Sequence, residues 1–137
     1  MDFKKNTNVY WNSQSTINEF SSLQVPEYWR DFFAGNTVSG SCKVLDLGCG
    51  GGRNTYMLIS YGFDTYACDL HSGMVEATRV KVSQLIGYDE AALRIIQADM
   101  LKLPYDSSNF DIVLANGIYH NTSSVEEFET AVTETAR

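Results

Sequence analysis

Basic residues are scarce: 10 Lys and Arg stand against 17 Asp and Glu, a formal net charge of −7 over 137 residues. No basic run or stripe could displace counterions from a phosphate backbone, which argues against a nucleic-acid partner. Long apolar runs are lacking too. Nothing approaches the ~20 residues that span a bilayer, and Met1-Asp2-Phe3-Lys4-Lys5 has no apolar leader core, so no membrane partner is expected. Cysteine is limited to Cys42, Cys49 and Cys68, an odd set without C-x-x-C spacing. These read as free thiols in a reducing compartment, and a cytoplasmic location is expected. The two histidines and the scattered carboxylates show no metal-ligand spacing, so no metal is expected. Proline occurs twice, and no segment is repeated or low in complexity. What is there is ordinary globular composition, 44% apolar and 20% charged, at a length that suits one core.

Residues 1–40 are polar and aromatic and read as a helical N-terminal lead-in or lid. Thr16-Ile17-Asn18-Glu19 predicts a capping box opening a short helix, and Pro26 predicts a second helix through Phe33 that stops at Gly35-Asn36. From residue 41 to 137 strands and helices alternate. Cys42–Leu47, Phe63–Cys68, Leu93–Gln97 and Phe110–Ala115 read as strands. Helices are expected over Arg53–Tyr61 and from a Ser72 cap to a Gly87 stop, with a last one opened by the box Ser123-Ser124-Val125-Glu126. The order predicts an α/β fold with a doubly wound, mostly parallel sheet and helices on both faces.

The informative stretch is Val44-Leu45-Asp46-Leu47-Gly48-Cys49-Gly50-Gly51-Gly52-Arg53. A strand that runs through glycines into a helix lets backbone amides approach a ligand at the positive end of the helix dipole. A phosphate-binding P-loop needs Lys-Ser/Thr after its last glycine, and none follows. The dinucleotide pattern G-x-G-x-x-G is weakened because Arg53 replaces its third glycine. Asp46, two residues before Gly48, is expected to share its side of the strand and to face the ligand. A carboxylate there repels a diphosphate and attracts a sulfonium or ammonium, favouring S-adenosylmethionine (SAM) over NAD. Asp69 ends the second strand, where it can accept from ribose hydroxyls. Asp99-Met100 follows the third, where it can meet an adenine by hydrogen bond and ring-face contact. Acidic residues at strand ends are often only turn formers; three of them beside a glycine loop point to a site.

With Cys68-Asp69-Leu70, Gln97–Pro104 and Phe110–Asn116 added to the glycine loop, residues ~42–136 resemble the class I SAM-dependent methyltransferases. The flavour is similar to the small-molecule branch that includes ubiquinone/menaquinone-pathway enzymes. The resemblance implies a Rossmann-like core, with Asp46, Gly48 and Gly50 holding the methionine part of SAM and Cys49 in the same loop. It implies Asp69, with Leu70, at the ribose, and Asp99 and Met100 at the adenine. Asn116 and Ile118 would border the departing methyl group. The implied activity is methyl transfer to a small-molecule acceptor.

Methyl transfer from an activated sulfonium needs placement and water exclusion more than a fixed catalytic triad. His120 is the expected general base should the acceptor lose a proton, and Tyr119 the expected pocket residue. Their alternatives are a bond to the next helix start and simple packing. His71 reads as a solvent-facing turn residue. Tyr10-Trp11 could be lid or packing, whereas Tyr28-Trp29 and Tyr56 read as packing. The resemblance further implies a fifth strand and an antiparallel pair, which do not follow Arg137. A fragment of a longer protein is expected, or a homodimer that covers the apolar edge of the last strand. A non-catalytic module holding SAM or its demethylated product is the alternative function, and an NAD-dependent oxidoreductase a more distant one.

Overall fold

The structure, a computed structural model, describes residues 3–35 and 41–137. Three helices come first: α1 (Phe3–Asn12), α2 (Gln14–Ser21) and α3 (Glu27–Gly35). Then follow β1 (Lys43–Leu47), α4 (Arg53–Ser60), β2 (Asp64–Asp69), α5 (Ser72–Ile86), α6 (Tyr88–Arg94), β3 (Ile95–Gln97) and β4 (Ile112–Ala115). A 3₁₀ turn at Tyr119–Asn121 leads to α7 (Val125–Ala136).

The four strands pair in parallel in the order β3-β2-β1-β4, so the doubly wound topology holds, with β4 at one edge. β1 is buried on both sides, and its alternation sorts two cores. Val44 packs with Phe33, Met57 and Leu58 beneath α3 and α4, and the same face continues through Ala67, Val75, Val82 and Ala91 under α5 and α6. Leu45 and Leu47 face the other way, toward Cys68, Leu103, Phe110 and Ile118. That second face is covered mainly by the stretch 98–111. α7 is tied to it through Arg137, which donates to the carbonyls of Leu103 and Tyr105, and through Glu134, which accepts from the Leu103 N–H.

Several boundaries differ from expectation. The lead-in is helical from Phe3, and Ser13, not Thr16, caps α2, its hydroxyl accepting from the Thr16 N–H while Thr16 itself is buried. α3 begins after Pro26 as expected; Asn36 lies outside the described residues. His71 rather than Ser72 occupies the cap position of α5. Leu93 and Arg94 belong to the unexpected α6, which shortens β3 to three residues. The last capping box is shifted by one: Ser124 accepts from Glu127 N–H while Glu127 accepts from Ser123.

The lead-in docks beside the first loop. Lys81 of α5 donates to the Ser21 carbonyl at 2.6 Å and Arg53 to the Gln24 carbonyl at 3.1 Å, so both cations serve the end of α2. Gly73 lies against this docked segment, and a Cβ there would displace the end of the Ile17 side chain.

Candidate functional site

The turn from β1 into α4 is made by glycines in the left-handed region: φ is +74° at Gly48, +55° at Gly50 and +89° at Gly52. An L side chain is strained at such angles, and two of the loop's glycines are also hemmed in. A Cβ on Gly48 would meet the Ile118 side chain, and one on Gly51 would meet the backbone of Phe20 and Ser21. The loop is fixed from below: the Gly48 and Cys49 N–H groups both donate to the Cys68 carbonyl, at 2.9 and 3.0 Å. The Thr78 hydroxyl donates to the Gly50 carbonyl at 2.7 Å.

Above the loop, at the carboxyl ends of the strands, lies a cavity of about 760 Å³. Its size is within the ordinary range for a small-molecule or cofactor site. The loop and α4 supply Gly48–Gly51, Arg53 and Asn54; β2 supplies Cys68 and Asp69, and the turn after it Leu70 and His71; β3 supplies Gln97, and the turn after it Ala98–Leu101. Asn116, Gly117, Ile118 and Asn121 follow β4, and Trp11 and Phe20 close the cavity from the lead-in. Every expected cofactor residue except Asp46 therefore lines one space.

Asp69 is the most heavily bonded of them. Its Oδ2 accepts from Gly50 N–H at 3.0 Å, and its Oδ1 from His71 N–H at 3.0 Å. Asp99 Oδ1 accepts from Leu101 N–H at 2.9 Å, which sets the turn that carries Met100 into the cavity. Burial pushes the Cys68 thiol up to about 12 and the Cys49 thiol well up too, so both sulfurs are protonated and add no charge. Asn54 is 5% exposed and its Oδ1 has no hydrogen-bond partner, an orphaned acceptor in the cavity wall at the start of α4.

Asp46 corrects the expectation that its carboxylate faces the cavity. It points under the loop, 1% exposed, and accepts from the Thr55 hydroxyl at 2.7 Å. Burial is the largest influence on it and raises its pKa to about 6. Tyr119 and His120 also stand outside the cavity. The Tyr119 hydroxyl is 2.7 Å from Thr135 Oγ1 and its ring meets Phe128, while His120 is exposed. His71 corrects in the opposite direction: it lines the cavity, 12% exposed, stacked on Trp11 and bonded to Asp69. Trp11 is thus part of the wall; Trp29 packs against the core as expected, whereas Tyr28, expected to pack with it, is 61% exposed. No local signal marked Phe20, which only the packing of α2 brings here, and Gln97 stood in the motif Gln97–Pro104 without a role of its own.

The family described as "Methyltransferase domain" matches residues 44–137, and the chain belongs to it. Among curated proteins it is 28% identical over 125 residues to "Probable tRNA methyltransferase 9B" of Bos taurus, covering 90% of this chain and 25% of the relative. It is 32% identical over 85 residues to "Malonyl-[acyl-carrier protein] O-methyltransferase" of Legionella pneumophila, covering 61% of this chain and 28% of the relative. The chain thus spans about a quarter of the length of these relatives. Among solved structures, magnesium protoporphyrin IX methyltransferase of Synechocystis PCC 6803 with bound SAM superposes with a TM-score of 0.71. That likeness covers 98% of this chain and 71% of the other at 17% identity, and shows the shared fold.

Proposed function

We propose that this methyltransferase-domain chain binds SAM in the cavity above the glycine loop and serves methyl transfer to a small-molecule acceptor. It is read as working in the cytoplasm, where its three thiols stay reduced. The observation that carries the reading is the convergence of a cramped left-handed glycine loop and two carboxylates, Asp69 and Asp99, on one cavity. The residues fit the cofactor's chemistry. The glycines of the loop line the cavity with backbone rather than side chains, and the Asn54 Oδ1 in its wall has no hydrogen-bond partner. Asp69 suits ribose hydroxyls, and Asp99 with Met100 and Leu70 suits an adenine. Asp46 acts from beneath the loop, as a negative charge under the cationic part of the ligand.

Bound SAM supplies a methyl group on a positively charged sulfur. The chain's part is to orient and to exclude water: Trp11 and Phe20 cover the loop, and Ile118 stands against Gly48. Asn116 and Asn121, at the end of the cavity beyond β4, offer amides to an acceptor. His120 and Tyr119 carry no step in this arrangement.

An NAD site is disfavoured by Arg53 in the third-glycine position and by the buried carboxylate below. The likeness to a probable tRNA methyltransferase supports a second reading, in which the acceptor is a nucleoside in RNA; the acidic balance of the chain weighs against it. A share of about a quarter of the relatives' length supports a cofactor-binding part of a larger enzyme, or a module without turnover. Pairing of two copies along the free edge of β4 is part of the proposal, and a dilution-stable monomer in light scattering counts against it.

Calorimetric titration tests the core of the reading. SAM and its product S-adenosylhomocysteine are expected to bind one per chain, and NAD not at all. NAD binding without a response to SAM would overturn it. Methyl-labelled SAM, offered with a metabolite extract and with a tRNA pool, then separates acceptors. Label in the small-molecule fraction supports the first reading, label in RNA the second, and binding without transfer the module.

A further inference from the structure

Asp69 ends β2 with three protein donors on its carboxylate. Besides the two backbone N–H groups from Gly50 and His71, the His71 ring Nδ1 lies 3.2 Å from Oδ1. An ionised carboxylate only accepts, so Nδ1 carries the proton and donates. The ring itself is held from the far side: it stacks on Trp11 of α1, with centroids 6.1 Å apart and planes inclined by 28°. Trp11 is braced in turn by Phe20, at 4.9 Å edge to face. Only 12% of the His71 side chain and 12% of the Asp69 side chain are exposed, so water competes weakly for these bonds.

From this geometry we infer that His71 is a positioning residue for ribose recognition, fixing the direction in which Asp69 accepts and tying it to the lead-in through Trp11. The inference rests on the reading that the cavity takes an adenosyl nucleoside. A carboxylate offers roughly four acceptor positions. His71 fills both on Oδ1 and Gly50 fills one on Oδ2. The position left open has a set direction, so the site reads a hydroxyl by geometry as well as by charge. Without the ring bond a second acceptor position opens on Oδ1, while the backbone N–H groups of Gly50 and His71 still hold one bond on each oxygen. Recognition of the hydroxyl then loosens, although the charge is unchanged. The ring carries this constraint from α1: docking of the lead-in and presentation of the ribose carboxylate are one packed unit.

The test uses S-adenosylhomocysteine and its 2′-deoxy and 3′-deoxy counterparts, titrated calorimetrically into the full chain. The parent is expected to discriminate against at least one deoxy compound by about tenfold or more, as a hydrogen bond to a charged group implies. His71→Phe keeps a ring against Trp11 and removes the donor; its discrimination is expected to shrink to within about threefold while its melting temperature stays near the parent's. His71→Asn places an amide nitrogen at the same bond count as Nδ1 and should restore most of the discrimination. Equal weakening of all three compounds in His71→Phe would mean that the ring only packs, and would overturn the inference. So would unchanged discrimination, or no recovery in His71→Asn. Asp69→Ala separates the two levels. If the parent binds no S-adenosylhomocysteine, or discriminates without Asp69, the reading of the cavity fails and the inference with it. If discrimination depends on Asp69 and ignores His71, the cavity reading stands and the role of His71 falls.

Discussion

The Thr55 hydroxyl donates a 2.7 Å hydrogen bond to Asp46 Oδ2 beneath the glycine loop, at a carboxylate that is 1% exposed. Thr55 bonds this buried charge through its hydroxyl and its backbone N–H, and burial outweighs both, pushing the carboxyl from 3.8 to about 6. The Thr55 bonds pull it back, the Asp69 charge adds to the rise, and Arg53 opposes it.

This sets a pH dependence of stability. The folded value lies above the unfolded one, so the native state holds the proton more tightly, and stability falls as pH climbs from about 4 to about 6. Asp46→Asn keeps an acceptor for Thr55 and removes the charge. It is expected to unfold at higher urea than the parent at pH 7.5, by about 1–3 kcal/mol, with the gain gone below pH ~4. Urea unfolding at the two pH values checks it; a gain that does not vary with pH would absolve the buried charge.

The same substitution should cost binding. With the charge in place, the space above the loop favours a cation; with it neutralised, SAM is expected to bind about tenfold more weakly. S-adenosylhomocysteine, whose sulfur is neutral, should suffer less. The parent's affinity for SAM should likewise decline as pH falls through about 6, where Asp46 takes up its proton. Paired titrations of the two ligands between pH 5 and 8 read this directly, and equal losses for both would remove Asp46 from recognition of the sulfonium and leave it only the ammonium that both ligands carry.

Gly48 and Ile118 form a testable pair. A Cβ at Gly48 meets the Ile118 side chain, and φ there is +74°. Gly48→Ala is expected to destabilise by about 2–4 kcal/mol, part steric and part backbone strain. In a double-mutant cycle, Ile118→Ala should relieve the steric share and leave about 1–2 kcal/mol of strain. Strict additivity of the two changes would mean that the side chains adjust without cost.

How far the residues themselves announced this site depends on which forces placed each one. The strand order and the glycine turn were readable because they follow from local pattern: a buried strand, glycines where no Cβ fits, then a helix. Asp69 and Asp99 were readable for the same reason, the first ending β2 and the second lying just past β3. Asp46 was misread because alternation holds only while the backbone stays extended. Gly48, at +74°, turns the chain, so a residue two positions earlier need not share its side. His71 and Trp11 come from elements some 60 residues apart, and their stacking is a tertiary fact that no window contains. α6 hid behind Gly87, which does end α5, at φ +79°, but only separates it from another helix.

The contact that couples the lead-in to the loop gives the last prediction. Gly51 sits against the backbone of Phe20 and Ser21, where a methyl group has no flexible side chain to push aside. Gly51→Ala must therefore lift the end of α2, straining the Lys81 bond to the Ser21 carbonyl and the Arg53 bond to the Gln24 carbonyl. Trp11 and Phe20 would move with it, opening one wall of the cavity. Amide exchange is expected to quicken across α1 and α2 while β1 and β2 keep their protection, because the sheet core does not depend on the lead-in for its pairing. Affinity for S-adenosylhomocysteine should fall by about tenfold or more in parallel. Lys81→Met, which removes a single bond, should move both readouts the same way by less. Faster exchange in the lead-in with unaltered affinity would show that the helices dock on the loop without shaping the site, and that Trp11 belongs to packing alone.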